Sequence, residues 1–353
     1  MTKIHNFGII GCGKISRKHL AAMDRCAQTK LTAVCDVLED RACQLGAERQ
    51  VPHYLSIGEM LGRHPEIDVV CVLTPTGMHA QHCREVAAHG RHVVVEKPMA
   101  LTLTDAEAMI RACDEAGVRL FVVKQNRHNV PVVKAREFLD HGNFGRLTMG
   151  TVRLRWRRDQ AYYDQAAWRG TWLMDGGVLA NQAAHHIDLL QWFMGDVEKV
   201  YCQMATQLVD VEVETTGFAV VTFTNGALGI IEATTAMRPK DLEGSLSIMG
   251  EQGTVVIGGF AANKVDVWDF IGREDNETVK ALLNQPSPDG FTQGHVKFFE
   301  HLCDCLDNNK PALVDGWEGY KSLRLIHALY ESAATGKEIH LMFRPQFSRL
   351  GIG

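Results

Sequence analysis

The first 123 residues alternate between short apolar runs and segments of helical length, and this order constrains the fold more than any other feature. Five runs are long enough to be buried strands: 7–10, 31–35, 69–73, 92–95 and 119–123. Segments such as 15–26 and 103–116 lie between them, with apolar residues recurring every three or four positions, as on one helix face. Continuous apolar strands separated by helices predict a parallel sheet covered on both faces.

After about residue 146 the pattern changes to alternation of apolar and polar residues. The alternating runs are 148–156, 213–224, 227–235, 245–249 and 254–257. Asn225-Gly226, between two of these runs, is a residue pair that favours a tight hairpin turn. This part therefore predicts a large, mostly antiparallel open sheet with one covered face. We expect a helix over about 177–194, and two more near 292–308 and 316–335.

A glycine-rich segment directly follows the first apolar run. Residues 8–16 match the G-x-G-x-x-G/A pattern of dinucleotide-binding turns. Gly11 would permit the tight turn and Gly13 would let a pyrophosphate approach the backbone, while a small residue at the last position lets the helix pack on the strand. The helix that starts near Lys14 and Ile15 would offer its unpaired N–H groups to the phosphates.

The next candidates for the cofactor site follow the second and third strands. Asp36 comes about 20 residues after the glycines, where a carboxylate accepts hydrogen bonds from the adenosine ribose hydroxyls. Residues 37–40 add acidic side chains and no arginine, so a 2′-phosphate would be repelled and we predict NAD rather than NADP. Thr74, Pro75 and His79 could also contact the cofactor, but this segment equally has the composition of an ordinary loop.

Length and composition bound the remaining possibilities. We expect an N-terminal Rossmann domain, residues 1–125, and a C-terminal α/β domain for substrate binding and oligomerisation, residues 126–353. The formal net charge of -5 lacks the basic excess of nucleic-acid-binding proteins. Without a membrane span or a secretory segment, we expect a cytoplasmic protein. The ten cysteines and sixteen histidines lack familiar metal-ligand spacings, so we expect buried, reduced cysteines and no metal.

Two further clusters carry groups that could move a proton. Glu96 and Lys97 close the fourth apolar run, at the edge of the sheet where such folds bind ligands. On the helix that interrupts the second sheet, Asn181, His185 and Asp188 are spaced by four and three residues. This spacing would place them on one helix face. A single histidine there is more often structural, whereas three polar groups on one face of an apolar helix favour a site.

The glycine fingerprint, the Glu-Lys-Pro motif at 96–98 and the glycine-pair helix with His185 and Asp188 occur in this order and spacing. Together they resemble the Gfo/Idh/MocA oxidoreductase family over residues 5–340. The resemblance implies an NAD-dependent dehydrogenase in which a Rossmann domain precedes an α/β domain with a large open sheet. It also implies that Lys97 and His185 face the nicotinamide, that Glu96 lies at the cofactor, and that members are commonly dimers or tetramers.

The resemblance further implies hydride transfer from a secondary hydroxyl group to the nicotinamide. The hydroxyl proton would pass to His185, with Lys97 bonding the same oxygen, although either residue could be the base. Many members that oxidise polyols carry aspartate where this chain has Asn181. An amide can orient a hydroxyl but cannot act as a base. Asp188 would orient His185 or form a local salt bridge.

The substrate class is suggested by the segment 153–172. Arg153, Arg155 and Arg157 alternate, which would give one strand face a positive charge, either as a clamp for carboxylate or phosphate or as a solvated edge or oligomer contact. Within the family, the segment is similar to bacterial nucleotide-sugar 3-dehydrogenases, notably those of surface-polysaccharide pathways that oxidise C3 of UDP-N-acetylglucosaminuronate. The matching motifs give as substrate-side candidates Arg157, Tyr163, Trp168, Arg169, Asn181, Gln182 and His185.

Two alternatives stay open for the function, and one expectation concerns assembly. A free-sugar or inositol dehydrogenase of the same family would not need so cationic a strand, and a non-catalytic NAD-binding sensor would not need Lys97 and His185. The antiparallel sheet has outward rows such as Phe218, Val220 and Thr222, with few later helices to cover them. We therefore expect self-association through that sheet.

Overall fold

The computed structural model describes residues 3–286, 292–345 and 348–352. The chain divides into two compact units. The first contains Met1–Gln125 and Asp289–Tyr320, and the second contains Asn126–Pro288 and Lys321–Gly353. The first unit thus includes a segment from the C-terminal part of the chain.

Six parallel strands form the sheet of the first unit. They are β1 His5–Ile10, β2 Thr29–Cys35, β3 His53–Tyr54, β4 Val69–Val72, β5 His92–Val95 and β6 Leu120–Val122. Their order is β3-β2-β1-β4-β5-β6, so the winding reverses between β1 and β4, where doubly wound sheets bind ligands. The predicted parallel sheet is confirmed, since each of the five apolar runs overlaps a strand. The two-residue β3 was not predicted, because it is too short to show a pattern.

Helices follow the strands of this unit and bury their apolar faces on the sheet. They are α1 Lys14–Met23, α2 Glu39–Arg49, α3 Ile57–Arg63, α4 His79–Ala88, α5 Leu103–Glu115 and, from the C-terminal segment, α10 Gln293–Asp307. The rings of Phe7 on β1 and Phe299 on α10 pack edge to face at 5.6 Å between centroids. A further helix, α11 Gly316–Thr335, begins in this unit and continues into the second.

Eight strands form the sheet of the second unit. They are β7 Leu147–Arg155, β8 Val197–Ala205, β9 Thr216–Phe223, β10 Leu228–Thr234, β11 Glu243–Gly250, β12 Gly253–Gly258, β13 Lys264–Phe270 and β14 Ile339–His340. The order is β13-β12-β11-β7-β10-β9-β8-β14, with β7 and β10 parallel and the other pairs antiparallel. This confirms the predicted mostly antiparallel sheet, including the β9–β10 hairpin at Asn225-Gly226.

Among the described residues, the helices of the second unit leave one face of this sheet uncovered. They are α6 Val130–Asp140, α7 Gln160–Tyr163, a π-helical turn Val178–Gln182, α8 Ala184–Met194 and α9 Asn276–Leu283. Helix α8 packs so closely on β7 that a Cβ at Gly150 would lie 2.7 Å from Leu190. On the opposite face, Phe218 and Val220 are 49% and 51% exposed.

Two smaller expectations concern the cysteines and the membrane. Eight of the ten cysteines are buried and Cys12 is half-buried, but Cys43 is exposed. The prediction of burial is wrong for Cys43, because it lies on the outward face of α2. Over the described ranges, no helix combines the length and the apolar character needed to cross a membrane.

Candidate active site

The glycine turn of the first unit has the geometry of a dinucleotide cradle. Gly11 has a φ of +94°, and a Cβ at this position would lie 2.8 Å from backbone atoms of Leu73. At Gly13 a Cβ would meet no atom within 4 Å, so the space beside the backbone is open to a ligand. Ser16 donates its hydroxyl to Gly13 O at 2.7 Å and anchors the first turn of α1. The residues present therefore fit a pyrophosphate at the N-terminus of α1, which includes Lys14 and Ile15.

Asp36 holds the glycine turn from the end of β2. Its Oδ2 accepts from Cys12 N at 2.8 Å, and its Oδ1 accepts from Leu38 N at 2.9 Å. A carboxylate offers about four acceptor positions, so these bonds leave room for hydroxyl donors of a ligand. The side chain is buried, as expected of a group fixed by two loops.

His79, a predicted cofactor contact, ties two loops together. Its Nδ1 lies 3.0 Å from Pro98 O and its Nε2 lies 2.8 Å from Thr74 O. Burial lowers the pKa of this histidine. The ring therefore links the loop after β4, which contains Thr74 and Pro75, to the loop after β5. This geometry supports the site indirectly, and a direct contact of His79 with the cofactor stays a prediction.

Glu96 is bound by a histidine that the sequence pattern did not reveal. His19 Nε2 lies 2.7 Å from Glu96 Oε1, and Lys97 N donates to Glu96 Oε2 at 3.0 Å. Burial acts to raise the pKa of Glu96, but the hydrogen bond and charge of His19 outweigh it and lower this pKa to about 2. The carboxylate is therefore ionised and fixes the backbone of Lys97, whose side chain is half-buried.

A third side chain, His295 on α10, completes a buried cluster with His19 and Glu96. One potential ligand atom from each lies within 4.8 Å of the others. Two ligands of a tetrahedral zinc ion with bonds of about 2.0–2.1 Å lie roughly 3.3 Å apart. The 2.7 Å between His19 Nε2 and Glu96 Oε1 is too short for that and fits a hydrogen bond. The absence of a metal stays a prediction.

In the second unit, the residues 178–194 do not form one regular α-helix. The π-helical turn Val178–Gln182 precedes α8, which begins at Ala184. His185 and Asp188 lie three residues apart on α8, whereas Asn181 belongs to the π-helical turn. The expected single helix over about 177–194 is therefore divided, and a face shared by all three residues stays a prediction. His185 is half-buried at the start of α8, and Gln182 is buried at the end of the turn.

A buried glutamate, Glu214, binds the start of this turn. Glu214 Oε1 accepts from Leu179 N at 2.9 Å and from the Tyr330 hydroxyl at 2.8 Å, while its carbonyl accepts from Val178 N at 3.0 Å. Glu214 thus satisfies the first N–H groups of the π-helical turn. A Cβ at Gly177 would collide with Glu214 Oε2, so glycine is required there. Burial raises the pKa of Glu214 to about 7.

Two other buried carboxylates are bound next to the candidate residues. Asp188 receives two bonds from Arg127, at 2.8 and 2.9 Å, and Arg127 also stacks on Trp192 at 4.8 Å. Of the two roles considered for Asp188, the structure shows the local salt bridge. Asp175 accepts a hydrogen bond from the side-chain amide of Asn181. Asp175 was not predicted, because nothing in the local sequence distinguishes it from a turn residue.

Some of the predicted substrate-side residues contact Tyr162, which the sequence pattern did not single out. Arg169 lies over the Tyr162 ring at 4.6 Å and over the Trp168 ring at 4.7 Å, and it donates to the Tyr162 hydroxyl at 2.7 Å. Gln182 Nε2 lies 3.5 Å from the same hydroxyl. Tyr163 is instead buried, and its hydroxyl lies 3.3 Å from Thr235 Oγ1.

The arginines of β7 do not give this strand a positively charged face. Arg155 binds Glu232 at 2.6 Å and Glu243 at 3.2 Å, and Arg153 lies 4.0 Å from Glu243. The expectation of a cationic face is therefore wrong, because neighbouring strands supply the opposite charges. Arg157 lies beyond the end of β7 and pairs with Asp159 at 2.5 Å.

The comparisons with known proteins agree with this geometry. Residues 5–124 match the oxidoreductase family with the NAD-binding Rossmann fold, and residues 132–256 match the GFO/IDH/MocA C-terminal domain. The WlbA dehydrogenase from Bordetella pertussis, solved with NADH and UDP-GlcNAcA, is 39% identical with a TM-score of 0.90, over 96% of this chain and 98% of that chain. The WlbA dehydrogenase from Chromobacterium violaceum, with the same ligands, is 36% identical with a TM-score of 0.88, over 96% of each chain.

A curated relative of similar length has a different substrate in its name. The myo-inositol 2-dehydrogenase of Thermotoga maritima is 24% identical, over 95% of this chain and 98% of its own length. The predicted fold, the NAD cofactor and the assignment as a dehydrogenase are confirmed. With both of its domains matched, the chain belongs to the Gfo/Idh/MocA oxidoreductase family.

Proposed function

We propose that this enzyme oxidises a secondary hydroxyl of a sugar, at C3 of a UDP-linked N-acetylated uronic acid. The observation that carries the proposal is the similarity to the two WlbA dehydrogenases over 96% of the chain at 36–39% identity. Both were solved with NADH and UDP-GlcNAcA. The product would be a 3-keto sugar in surface-polysaccharide biosynthesis.

The cluster around Tyr162 supports a substrate with a ring and an acidic group. Arg169 keeps a guanidinium between two aromatic rings, at 4.6 and 4.7 Å, and is half-buried. Guanidinium groups bind carboxylates and phosphates through paired hydrogen bonds, and aromatic faces stack on sugars or bases. We assign substrate contacts to Arg157, Tyr163, Trp168 and Arg169, with Asn181 and Gln182 nearer the reacting carbon.

The cofactor side is assigned to the glycine turn and Asp36. We propose that Gly11, Gly13, Lys14 and Ile15 hold the pyrophosphate through backbone N–H groups. Asp36 would accept from the adenosine ribose hydroxyls, and its charge would repel the additional phosphate of NADP. The loop residues Thr74, Pro75 and His79, with Glu96, would shape the site around the nicotinamide half.

The chemistry proposed for Lys97 and His185 balances as an alcohol oxidation. Bound NAD supplies the hydride acceptor. The substrate carbon loses a hydride, the hydroxyl loses a proton to the imidazole of His185, and a ketone, NADH and a protonated base result. Lys97 donates a hydrogen bond to the same oxygen and stabilises its developing negative charge. Asn181 is uncharged, so it orients the hydroxyl without taking the proton.

A free-sugar or inositol dehydrogenase is the second candidate, favoured by one observation. Arg155 is neutralised by Glu232 and Glu243, so β7 offers no clamp for an acidic substrate. Initial rates with NAD should decide between the two. We expect a higher kcat/KM for UDP-N-acetylglucosaminuronate than for free hexoses or inositol, and the reverse order would reject the nucleotide-sugar proposal.

Two variants test whether Lys97 and His185 are needed for catalysis. Lys97→Met and His185→Asn should bind NADH, seen by fluorescence, but lose turnover by roughly 100-fold or more, the range of acid–base and hydrogen-bond contributions. Lys30→Met, which changes an exposed lysine on β2, is the matched control and should keep normal rates. Normal rates in both site variants would reject these roles, and NADH binding without any turnover in the parent protein would indicate a sensor.

We also propose that the uncovered sheet face binds a second copy of this chain. Its exposed apolar residues are Tyr201, Phe218, Val220, Leu228 and Ile230. The adjoining charged residues include Arg155 and Glu232. In a two-fold dimer, Arg155 of each copy could pair with Glu232 of the other. Light scattering should show a dimer or tetramer, and Val220→Lys should shift the protein toward smaller species. A monomeric parent protein would reject this proposal.

A further inference from the structure

We propose that Asp175 is a positioning residue that sets the orientation of the Asn181 amide, so that the Asn181 carbonyl oxygen accepts a hydrogen bond from the substrate hydroxyl. This inference rests on the proposed function, because it assigns a positioning role within the same site. It concerns two residues that lie six positions apart, both in the second unit.

The buried side chain of Asp175 accepts two hydrogen bonds. Its side chain is 1% exposed, and its Oδ2 accepts from Gly170 N at 2.8 Å. Its Oδ1 accepts from Asn181 Nδ2. An ionised carboxylate has no proton to donate, so it can bind the nitrogen end of the amide but not the oxygen end. In the structure the nitrogen end of the Asn181 amide faces Asp175, which is one of the two orientations that a planar amide could adopt.

The backbone around Asn181 is also fixed, which leaves the amide orientation as the main variable. Asn181 N donates to Gly177 O at 2.9 Å, and Ala183 N donates to Val178 O at 2.8 Å. Glu214 holds the start of the same turn through Leu179 N. With the nitrogen turned toward Asp175, the carbonyl oxygen lies on the other branch of the amide. Turning the amide over would bring two oxygens together and lose the bond.

This arrangement has a chemical consequence for the substrate. A carbonyl oxygen accepts from a hydroxyl group, so Asn181 would bind the substrate O–H and not its oxygen lone pairs. The hydroxyl proton is thereby directed to a defined side of the oxygen. The carboxylate of Asp175 contacts the Asn181 amide and would not contact the substrate. Position 181 therefore offers the substrate a polar group without a negative charge. Proton removal is left to His185, with Lys97 donating a hydrogen bond to the oxygen, as proposed above.

The test exchanges the two residues. Asp175→Asn leaves two amides facing each other, and Asn181→Asp leaves two carboxylates facing each other, so each should lower kcat by about 10- to 100-fold, the size expected for misplaced groups. The exchange variant, Asp175→Asn with Asn181→Asp, restores one donor and one acceptor and should recover kcat to within about fivefold of the parent enzyme. A plot of its kcat against pH should also show an additional fall at acidic pH, because a carboxyl group then faces the substrate.

Further measurements separate this proposal from the proposed function. The variants are assayed with whichever sugar the parent enzyme oxidises best, so a different substrate changes the proposed function but leaves the exchange test intact. If no sugar is oxidised, the melting temperature of the exchange variant should still exceed that of both single variants. Asp196→Asn, which changes an exposed aspartate after α8, is the control for loss of charge.

The outcomes are defined for each variant. If Asp175→Asn does not fold, recovery is read against Asn181→Asp alone. An exchange variant as slow as the slower single variant, or single variants with the parent kcat, would overturn the assignment. When the parent enzyme oxidises a sugar, a recovered melting temperature without recovered kcat would also overturn it, because a purely structural pair would behave in that way.

Discussion

Replacing Glu214 by glutamine should remove a pH dependence of stability that the parent protein has between pH 4.5 and about 7. The carboxyl is 2% exposed, and burial raises its pKa from 4.5 to about 7, although bonds from Leu179 and Tyr330 oppose this rise. Below pH 4.5 the group is protonated in both the folded and the unfolded protein. As the pH rises toward 7, the unfolded chain ionises first, so the free energy of unfolding falls.

The size of the effect follows from the two pKa values. The rise from 4.5 to about 7 corresponds to a loss of about 3 kcal/mol across the interval, at roughly 1.4 kcal/mol for each pKa unit. A change of about 1 kcal/mol shifts the melting temperature of a unit of this size by about 2–4 °C. Between about pH 4.5 and 8, the melting temperature of Glu214→Gln should therefore rise relative to the parent protein by about 6–12 °C.

Calorimetry at intervals from about pH 4.5 to 8 provides the measurement. Tyr330→Phe removes one donor to the carboxylate, so the pKa of Glu214 should rise further and the loss of stability should extend to higher pH. Glu198→Gln removes the same charge from an exposed position on β8 and is the matched control. If the curve of Glu214→Gln runs parallel to that of the parent protein, Glu214 does not ionise in this range and the reasoning is refuted.

Three further predictions use other contacts. Gly177→Ala should lower the melting temperature by overpacking against Glu214, at a cost of about 1–3 kcal/mol, and an unchanged melting temperature would contradict this close contact. Gly13→Ala meets no atom within 4 Å, so it should keep its melting temperature but weaken NADH binding measured by fluorescence. The pKa of Glu96 is lowered to about 2, so its contribution to stability is present above pH 4.5 and is lost as the pH falls toward 2. Melting curves of Glu96→Gln should show a weaker acid dependence there.

The sequence predicts the first unit well because its signals are local. Five of the six strands overlap an apolar run, and the glycine turn, Asp36 and Lys97 all follow strands at the same edge of a parallel sheet. Asp36 also accepts a hydrogen bond from Cys12 N, so two features that the sequence predicts separately, the glycine turn and Asp36, are in direct contact.

The candidate site of the second unit could be predicted only in part, because its partners are distant in the sequence. Arg127 lies 61 residues before Asp188, and Glu214 lies 35 residues after Leu179. Helical spacing relates residues three or four positions apart, so it cannot predict either contact. It therefore predicts an α-helix around Asn181, where the structure has a π-helical turn whose first N–H groups bind Glu214. The charge of Arg155 was misjudged for the same reason, since Glu232 and Glu243 come from other strands.

These contacts also change how a pH–rate profile of this enzyme should be interpreted. A fall of kcat with decreasing pH near neutrality would ordinarily be assigned to the base, since an unperturbed imidazole titrates at about 6.5. Glu214 has a pKa of about 7 and caps the turn that carries Asn181, so its protonation would weaken the bond to Leu179 N in the same range. Glu214→Gln cannot ionise but keeps an acceptor there. If kcat of this variant still falls with the parent profile, the limb belongs to the base, and if the limb disappears, it belongs to the turn.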